Sequence, residues 1–211
     1  MGLVGRLREW RIDRMTNRVA RRPSGRCARM VYGADDVHSF AWEPVLEVLQ
    51  LTPDDLLLDV GCGGGVFLRR ALRTGCCAVG LDHSRDMVRL ARQTTRGDAR
   101  IVHGSAERLP FEDGEFTAIS CLVAFLFFFF FPDPVAVLCE FRRVLNPERG
   151  RVAVFTTPPE MKGTPAAPYP LATRGHFYED RELEGLAPAA GFTVARVTRT
   201  EIGSQLLFAR N

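Results

Sequence analysis

The stretch Leu56-Leu57-Leu58-Asp59-Val60, followed at once by Gly61-Cys62-Gly63-Gly64-Gly65, constrains this chain more than any other. Its apolar run shows no polar alternation, the pattern of a strand buried on both faces. Val66–Leu72 then reads as a helix with Gly75 as its stop. Strand, glycine turn and helix together let backbone approach a nucleotide-like ligand. Side chains at Gly61, Gly63 and Gly65 would block that approach or forbid the turn. Asp59 sits inside the end of the strand, where a buried carboxylate without a partner is costly, so it predicts a cationic or hydrogen-bonding ligand group. Counting G-x-G-x-x-G from Gly61 lands on Val66, so the third glycine of a dinucleotide fingerprint is missing.

The rest of the chain fits a repeated strand–helix pattern. Trp42, Val45, Leu46 and Leu49 have helical spacing, and Thr52–Asp55 is the turn into the first strand. Ala78–Asp82 is the second strand, and Ser84 caps the helix that follows. Asp82 lies 21 residues beyond Gly61, where an acid can accept hydrogen bonds from both ribose hydroxyls of a bound nucleotide. Ile101-Val102 begins a third strand, Phe116–Cys121 is a fourth and Arg151–Thr156 a fifth. Phe192–Val197 and Gln205–Ala209 are the last two. Asp133-Pro134 starts a helix, and Gly191 ends another. Residues 157–176, rich in Pro, Gly and Ala, read as a long unstructured loop of the kind that forms lids. The expected fold is α/β: a doubly wound, mostly parallel seven-stranded sheet, helices on both faces, and an antiparallel C-terminal strand.

Several segments then resemble one family. Asp59–Gly65 is similar to the first motif of class I (Rossmann-like) S-adenosylmethionine (SAM)-dependent methyltransferases. His83-Ser84-Arg85-Asp86-Met87 is similar to its continuation. Glu140–Pro147 with Gly150 resembles the helix and turn before the fifth strand, and Tyr178–Leu183 followed by Ala190-Gly191-Phe192 resembles the C-terminus of small-molecule methyltransferases. The likeness covers residues 40–211 and implies SAM as cofactor. It places Asp59, Gly61, Cys62, Gly63 and Gly65 on the cofactor loop, Asp82 on the ribose, and His83 and Met87 against adenine. It also puts Ser105, Ala106, Glu107 and Leu122 on the cofactor. Departures from the pattern are His83 for an aliphatic residue, Ser105 and Thr117 for acids, and Glu148-Arg149 for a tight Pro-Gly-Gly turn.

The acceptor side is read from Leu122–Phe131, which ends in five consecutive phenylalanines. With the preceding strand this makes about fourteen apolar residues, short of the roughly twenty of a membrane span. The run suggests a wall for a small apolar or aromatic acceptor, or a surface for a second copy of the chain. Tyr32, Phe125 and Phe127 are the candidate acceptor contacts, and His38 and His176 the candidate bases.

Residues 1–39 form a basic arm or cap before the domain at 40–211. Residues 1–30 carry nine arginines against Glu9 and Asp13, within a chain whose net charge is +3. Their apolar positions hold no single helical stripe, so a solvated helix or mobile arm is expected. The six cysteines show no ligand spacing, which argues against a metal and for small buried hydrophobes in a reducing compartment. The lack of a secretory signal points to the cytoplasm. No Asn/Asp-Pro-Pro-aromatic sequence follows the fourth strand, which argues against a nucleic-acid substrate. The alternatives are a non-catalytic SAM-fold scaffold that binds a partner through the phenylalanines, an NAD-type oxidoreductase, and an RNA methyltransferase using the arginine arm.

Overall fold

The computed structural model describes residues 3–16, 39–122 and 133–211. Tyr32, His38, Phe125, Phe127 and the phenylalanine run lie outside the described residues.

The sheet has seven strands: β1 (Leu56–Val60), β2 (Cys77–Asp82), β3 (Arg100–His103), β4 (Ala118–Leu122), β5 (Arg151–Thr156), β6 (Val194–Arg199) and β7 (Gln205–Arg210). Their order is β3-β2-β1-β4-β5-β7-β6. β1 to β5 pair in parallel, and β7 runs antiparallel between β5 and β6. The described α-helices are α1 (Leu3–Thr16), α2 (Trp42–Leu49), α3 (Val66–Ala71), α4 (Arg85–Thr94), α5 (Pro134–Val144) and α6 (Asp180–Ala189).

The aliphatic run of β1 is explained by a core on each face of the sheet. Leu57 joins a cluster with Val45 and Leu49 of α2, Phe67 and Leu68 of α3, and Val88 and Ala91 of α4. Leu58 and Val60 join the other, with Val137, Leu138, Phe141 and Val144 of α5 and Leu183 and Ala187 of α6. β1 pairs with β2 on one side and β4 on the other, so the strand order reverses beside it. Such a switch point opens a crevice at the carboxyl ends of the strands.

The opposite edge of the sheet is closed by Arg151. Its guanidinium meets both carboxylate oxygens of Asp55 at 3.0 and 2.9 Å and donates to the carbonyls of Leu49, Gln50 and Thr117. Thr117 Oγ1 donates to Asp55 at 2.7 Å and accepts from the Leu56 amide. Thr117, an apparent departure from the family pattern, thus belongs to this structural network, away from the crevice.

Four boundaries and packings differ from the sequence reading. β4 begins at Ala118 because Phe116 bridges Leu145 outside the ladder. β6 begins at Val194 because Phe192 is used by the preceding helix. Its amide bonds Ala187 O beyond a left-handed Gly191 (φ 90°), and its buried ring completes the C-cap. Residues 157–176 are not unstructured: they contain 3-10 turns at Pro159–Met161 and Leu171–Arg174, with Ala167, Ala172 and Phe177 as a small core. Among the cysteines, Cys62, Cys76 and Cys121 are buried as expected, whereas Cys77 and Cys139 are exposed.

The N-terminal segment 3–16 is helical and docked. Arg174, on the 3-10 turn, reaches Glu9 and Asp13 on one face of α1, the Asp13 contact being 2.9 Å. Two acids four residues apart share a helix face, so one guanidinium can span both.

Candidate active site

Three left-handed glycines build the turn after β1: Gly61 (φ 75°), Gly63 (φ 51°) and Gly65 (φ 77°). Gly65 is needed for packing as well as conformation. A Cβ there would lie 3.0 Å from Cα and Cβ of Ala91 in α4. The turn is tied to β2 by its amides. Gly61 and Cys62 both donate to Leu81 O, at 2.8 and 3.0 Å, and Gly65 donates to Cys62 O. The Cys62 side chain turns away from the crevice toward Gly80, whose missing Cβ would stand 2.9 Å from its sulfur. Burial pushes the Cys62 thiol well up, so it stays protonated and inert.

Asp82, at the end of β2, is 5% exposed. Its Oδ2 accepts from the Gly63 amide at 2.9 Å and its Oδ1 from the Ser84 amide at 2.8 Å. One carboxylate therefore fixes the glycine turn and the entry to α4 together. Each oxygen keeps a further lone pair for a ligand hydroxyl. Burial raises its pKa, opposed by those amides and by the nearby His83 and His103 rings. His83 Nδ1 lies 3.6 Å from Asp82 Oδ1, and its carbonyl meets His103 Nε2 at 3.0 Å. The His83 side chain is 41% exposed, so one surface of the ring faces out of the fold.

Asp59 is more deeply enclosed, at 2% exposure. It stands opposite Ser120 in the β1–β4 register, and Ser120 Oγ donates to Oδ1 at 2.7 Å. Among the described residues that hydroxyl is its hydrogen-bond partner. Burial, reinforced by the charge of Asp82, pushes the Asp59 carboxyl up to about 7 despite the Ser120 bond. The sequence reading missed Ser120. Its signal was a polar residue in an otherwise apolar buried strand, and only the register shows that it faces Asp59.

The remaining candidates gather on the same edge. Met87 in α4 is 1% exposed, and its amide donates to the Ser84 cap at 3.4 Å. β3 pairs with β2 so that His103 lies beside Asp82, and Gly104 N bonds Asp82 O. That carries Ser105, Ala106 and Glu107 just past the end of β2. Ser105 is exposed and accepts from Glu107 N at 3.3 Å, while Ala106 is buried. Leu122 ends β4, half-buried. His176 lies in the segment before α6. Its Nε2 is 3.5 Å from Glu182 Oε1, and its ring packs edge-on to Tyr178 at 4.4 Å. Gln205 at the start of β7 holds this segment, donating to Tyr178 O at 2.8 Å and Asp180 at 2.7 Å. Among the described residues no cluster of His, Cys, Asp and Glu is arranged to hold a metal.

A shallow hollow of about 530 Å³ near Pro110 and Phe111 lies apart from this site. Two of its charges, Glu140 and Arg143, are spent internally. Arg143 binds Glu140, Asp113 and the carbonyls of Leu109 and Phe111, while Glu140 accepts from Leu109 N. Arg143 holds the Glu140 carboxyl below its usual range. The pair is a clasp that fastens the β3–β4 connection to α5.

Residues 58–154, which include the glycine turn, Asp82 and the clasp, match the family described as "Methyltransferase domain". Over that stretch the chain is similar to methyltransferases. The strand order and the solved structures it resembles give it the fold of class I methyltransferases, as the sequence resemblance implied. The chain is 31% identical over 126 residues to a demethylmenaquinone methyltransferase of Bacillus licheniformis, a match covering 57% of this chain and 53% of the relative. A 37.1 kDa protein in a Streptomyces fradiae transposon is 33% identical over 108 residues, covering 49% of this chain and 30% of that one. The chain spans about half the length, or less, of the curated relatives it matches. In fold, the chain is similar to a SAM-dependent methyltransferase from Aquifex aeolicus. The TM-score is 0.72 at 20% identity, over 86% of this chain and 95% of the other.

Proposed function

We propose that this chain transfers the methyl group of SAM to a small apolar or aromatic acceptor. The observation that carries the reading is Asp59, a carboxyl enclosed beside the glycine turn with a neutral hydroxyl as its described partner. Such a group is costly unless a cation completes it, and the α-ammonium of SAM is a cation of fitting size. Asp82 would accept from the ribose hydroxyls with its remaining lone pairs, and His83 would lie against the adenine. Ser105 would accept from the adenine amino group, more weakly than an acid would.

SAM supplies a methyl group on a positively charged sulfur, which is its own leaving group. What falls to the chain is alignment and the exclusion of water, and alignment alone is worth several kcal/mol. The acceptor class is supported by the name of the B. licheniformis relative, a demethylmenaquinone methyltransferase, and by the phenylalanine-rich segment that follows β4. A phenolic acceptor must also lose a proton. His176, beside Glu182 on the carboxyl edge of the sheet, is the described group suited to take it.

Two results are expected. First, affinity for S-adenosylhomocysteine, which keeps the α-ammonium, should be roughly tenfold weaker at pH 6 than at pH 8, because Asp59 must ionise to bind it. Without ligand the sign is opposite. The folded state holds the Asp59 proton more tightly than the unfolded chain, so stability should fall as pH rises from about 4 to about 7. Asp59→Asn should flatten both profiles in calorimetry and thermal melts. A flat binding profile in the wild type would remove Asp59 from the cofactor. Second, His176→Ala should lower kcat about a hundredfold on a phenolic acceptor and leave S-adenosylhomocysteine affinity unchanged. An unaltered kcat would mean the proton leaves without this imidazole.

A further inference from the structure

The described residues expose five large hydrophobic side chains. Three belong to one unit: Leu7 (54%) and Trp10 (55%) on α1, and Tyr169 (64%), which precedes the 3-10 turn Leu171–Arg174 against which α1 lies. The two acids of α1, Glu9 and Asp13, are both engaged by Arg174. That fixes which way the helix faces. Residues 9 and 13 point to the domain; at 100° per residue Arg11 lies opposite their mean direction, Leu7 and Arg14 lie within about 60° of Arg11, and Trp10 stands on the flank, where its exposure leaves it open to a partner. Arg11 and Arg14 are exposed, and the Arg14 guanidinium lies 5.2 Å from the centre of the Trp10 ring. The outward face is therefore cationic and aromatic, its negative charges neutralised on the inward side. The chain around it adds charge of the same sign, since residues 1–30 hold nine arginines and two acids.

We propose that the outer face of α1, together with Tyr169, docks on the surface of an anionic lipid bilayer. Charge complementarity selects this occupant. Arginines beside a negative surface each contribute about 1 kcal/mol of attraction. Trp and Tyr, with an apolar body and a polar tip, settle at headgroup depth. The apolar residues of α1 are interleaved with arginines rather than segregated from them, so contact is mainly electrostatic, with Trp10 as the anchor. The helix is 14 residues long and lies on the membrane; among the described residues no helix is long and apolar enough to cross one. The docking face adjoins the 3-10 turn Leu171–Arg174 of the segment that follows β5.

The test is co-sedimentation of the full chain with vesicles, one set of phosphatidylcholine and one containing phosphatidylglycerol, at low and high salt. Binding is expected to the anionic vesicles at low salt, with a blue shift in tryptophan emission that is absent from Trp10→Phe. Arg11→Ser with Arg14→Ser should weaken partitioning roughly thirtyfold, about fivefold per arginine. These positions are exposed, and unchanged circular dichroism would confirm an intact fold. Failure to sediment with anionic vesicles would overturn the proposal. So would binding indifferent to Trp10 and both arginines, or preferential retention of single-stranded RNA that such vesicles do not compete away. Binding of S-adenosylhomocysteine, measured without lipid, reports on the cofactor reading separately.

Discussion

Asp82→Ala is expected to weaken S-adenosylhomocysteine binding at least about a hundredfold by calorimetry, and to lower the melting temperature of the unliganded protein as well. Hydrogen bonds to a charged group contribute about 1.5–3 kcal/mol each, so two ribose contacts exceed the roughly 2.7 kcal/mol that a hundredfold represents. The stability loss has a separate origin. Asp82 also accepts from the amides of Gly63 and Ser84, and alanine would leave both donors without their partner, at about 1–3 kcal/mol for each that stays buried. The two effects can be told apart by measuring affinity well below the melting transition, where Asp82→Ala is folded. Affinity within threefold of wild type there would cancel the ribose assignment and leave Asp82 a structural residue only.

Arg151→Ala should be the most damaging single change to stability without touching the crevice. It removes the bidentate partner of Asp55, which is 7% exposed, and strands the Leu49 and Gln50 carbonyls at the end of α2. Breaking a buried pair from one side costs about 3–5 kcal/mol, and a domain of this size loses about 2–4 °C per kcal/mol. A fall in melting temperature of about 10 °C is expected, with cofactor affinity unchanged at temperatures where the variant is folded. The pH dependence is fixed in sign. Arg151 and Thr117 hold the Asp55 carboxyl far below its usual range even though burial opposes them. The stability from Asp55 is therefore present above about pH 4, its unfolded value, and is lost as pH falls below that. In a double-mutant cycle, Asp55→Ala with Arg151→Ala should cost less than the two changes summed, since neither charge is then left alone. Strict additivity would show that the pair is not coupled.

The central strands were legible from their aliphatic runs because a parallel strand is covered on both faces. Ser84 and Asp133 were legible as caps and are so used, accepting from Met87 N and Ala136 N. Errors fell where a residue has two possible partners. Phe192 has strand character, yet its amide goes to a helix carbonyl. Thr117 stands where the family commonly shows an acid, and nothing in the sequence named a partner for it; it serves Asp55 at the far edge. The arm is helical and largely exposed over residues 3–16, one of the two states its lack of a single apolar stripe predicts, a solvated helix or a mobile arm. What no local pattern could show is that it docks through Arg174, about 160 residues away in sequence.

By itself the sequence determined the order of strands and helices, the left-handed glycine turn and the acid at the end of the second strand. Those follow from local rules: which residues tolerate positive φ, which alternate, which cap. Only the tertiary structure decided that Ser120 meets Asp59, that Asp82 ties the turn to α4, and that α1 turns its acids inward. Each of these joins residues from separate elements, and strand register and helix rotation are set by packing that no local pattern specifies.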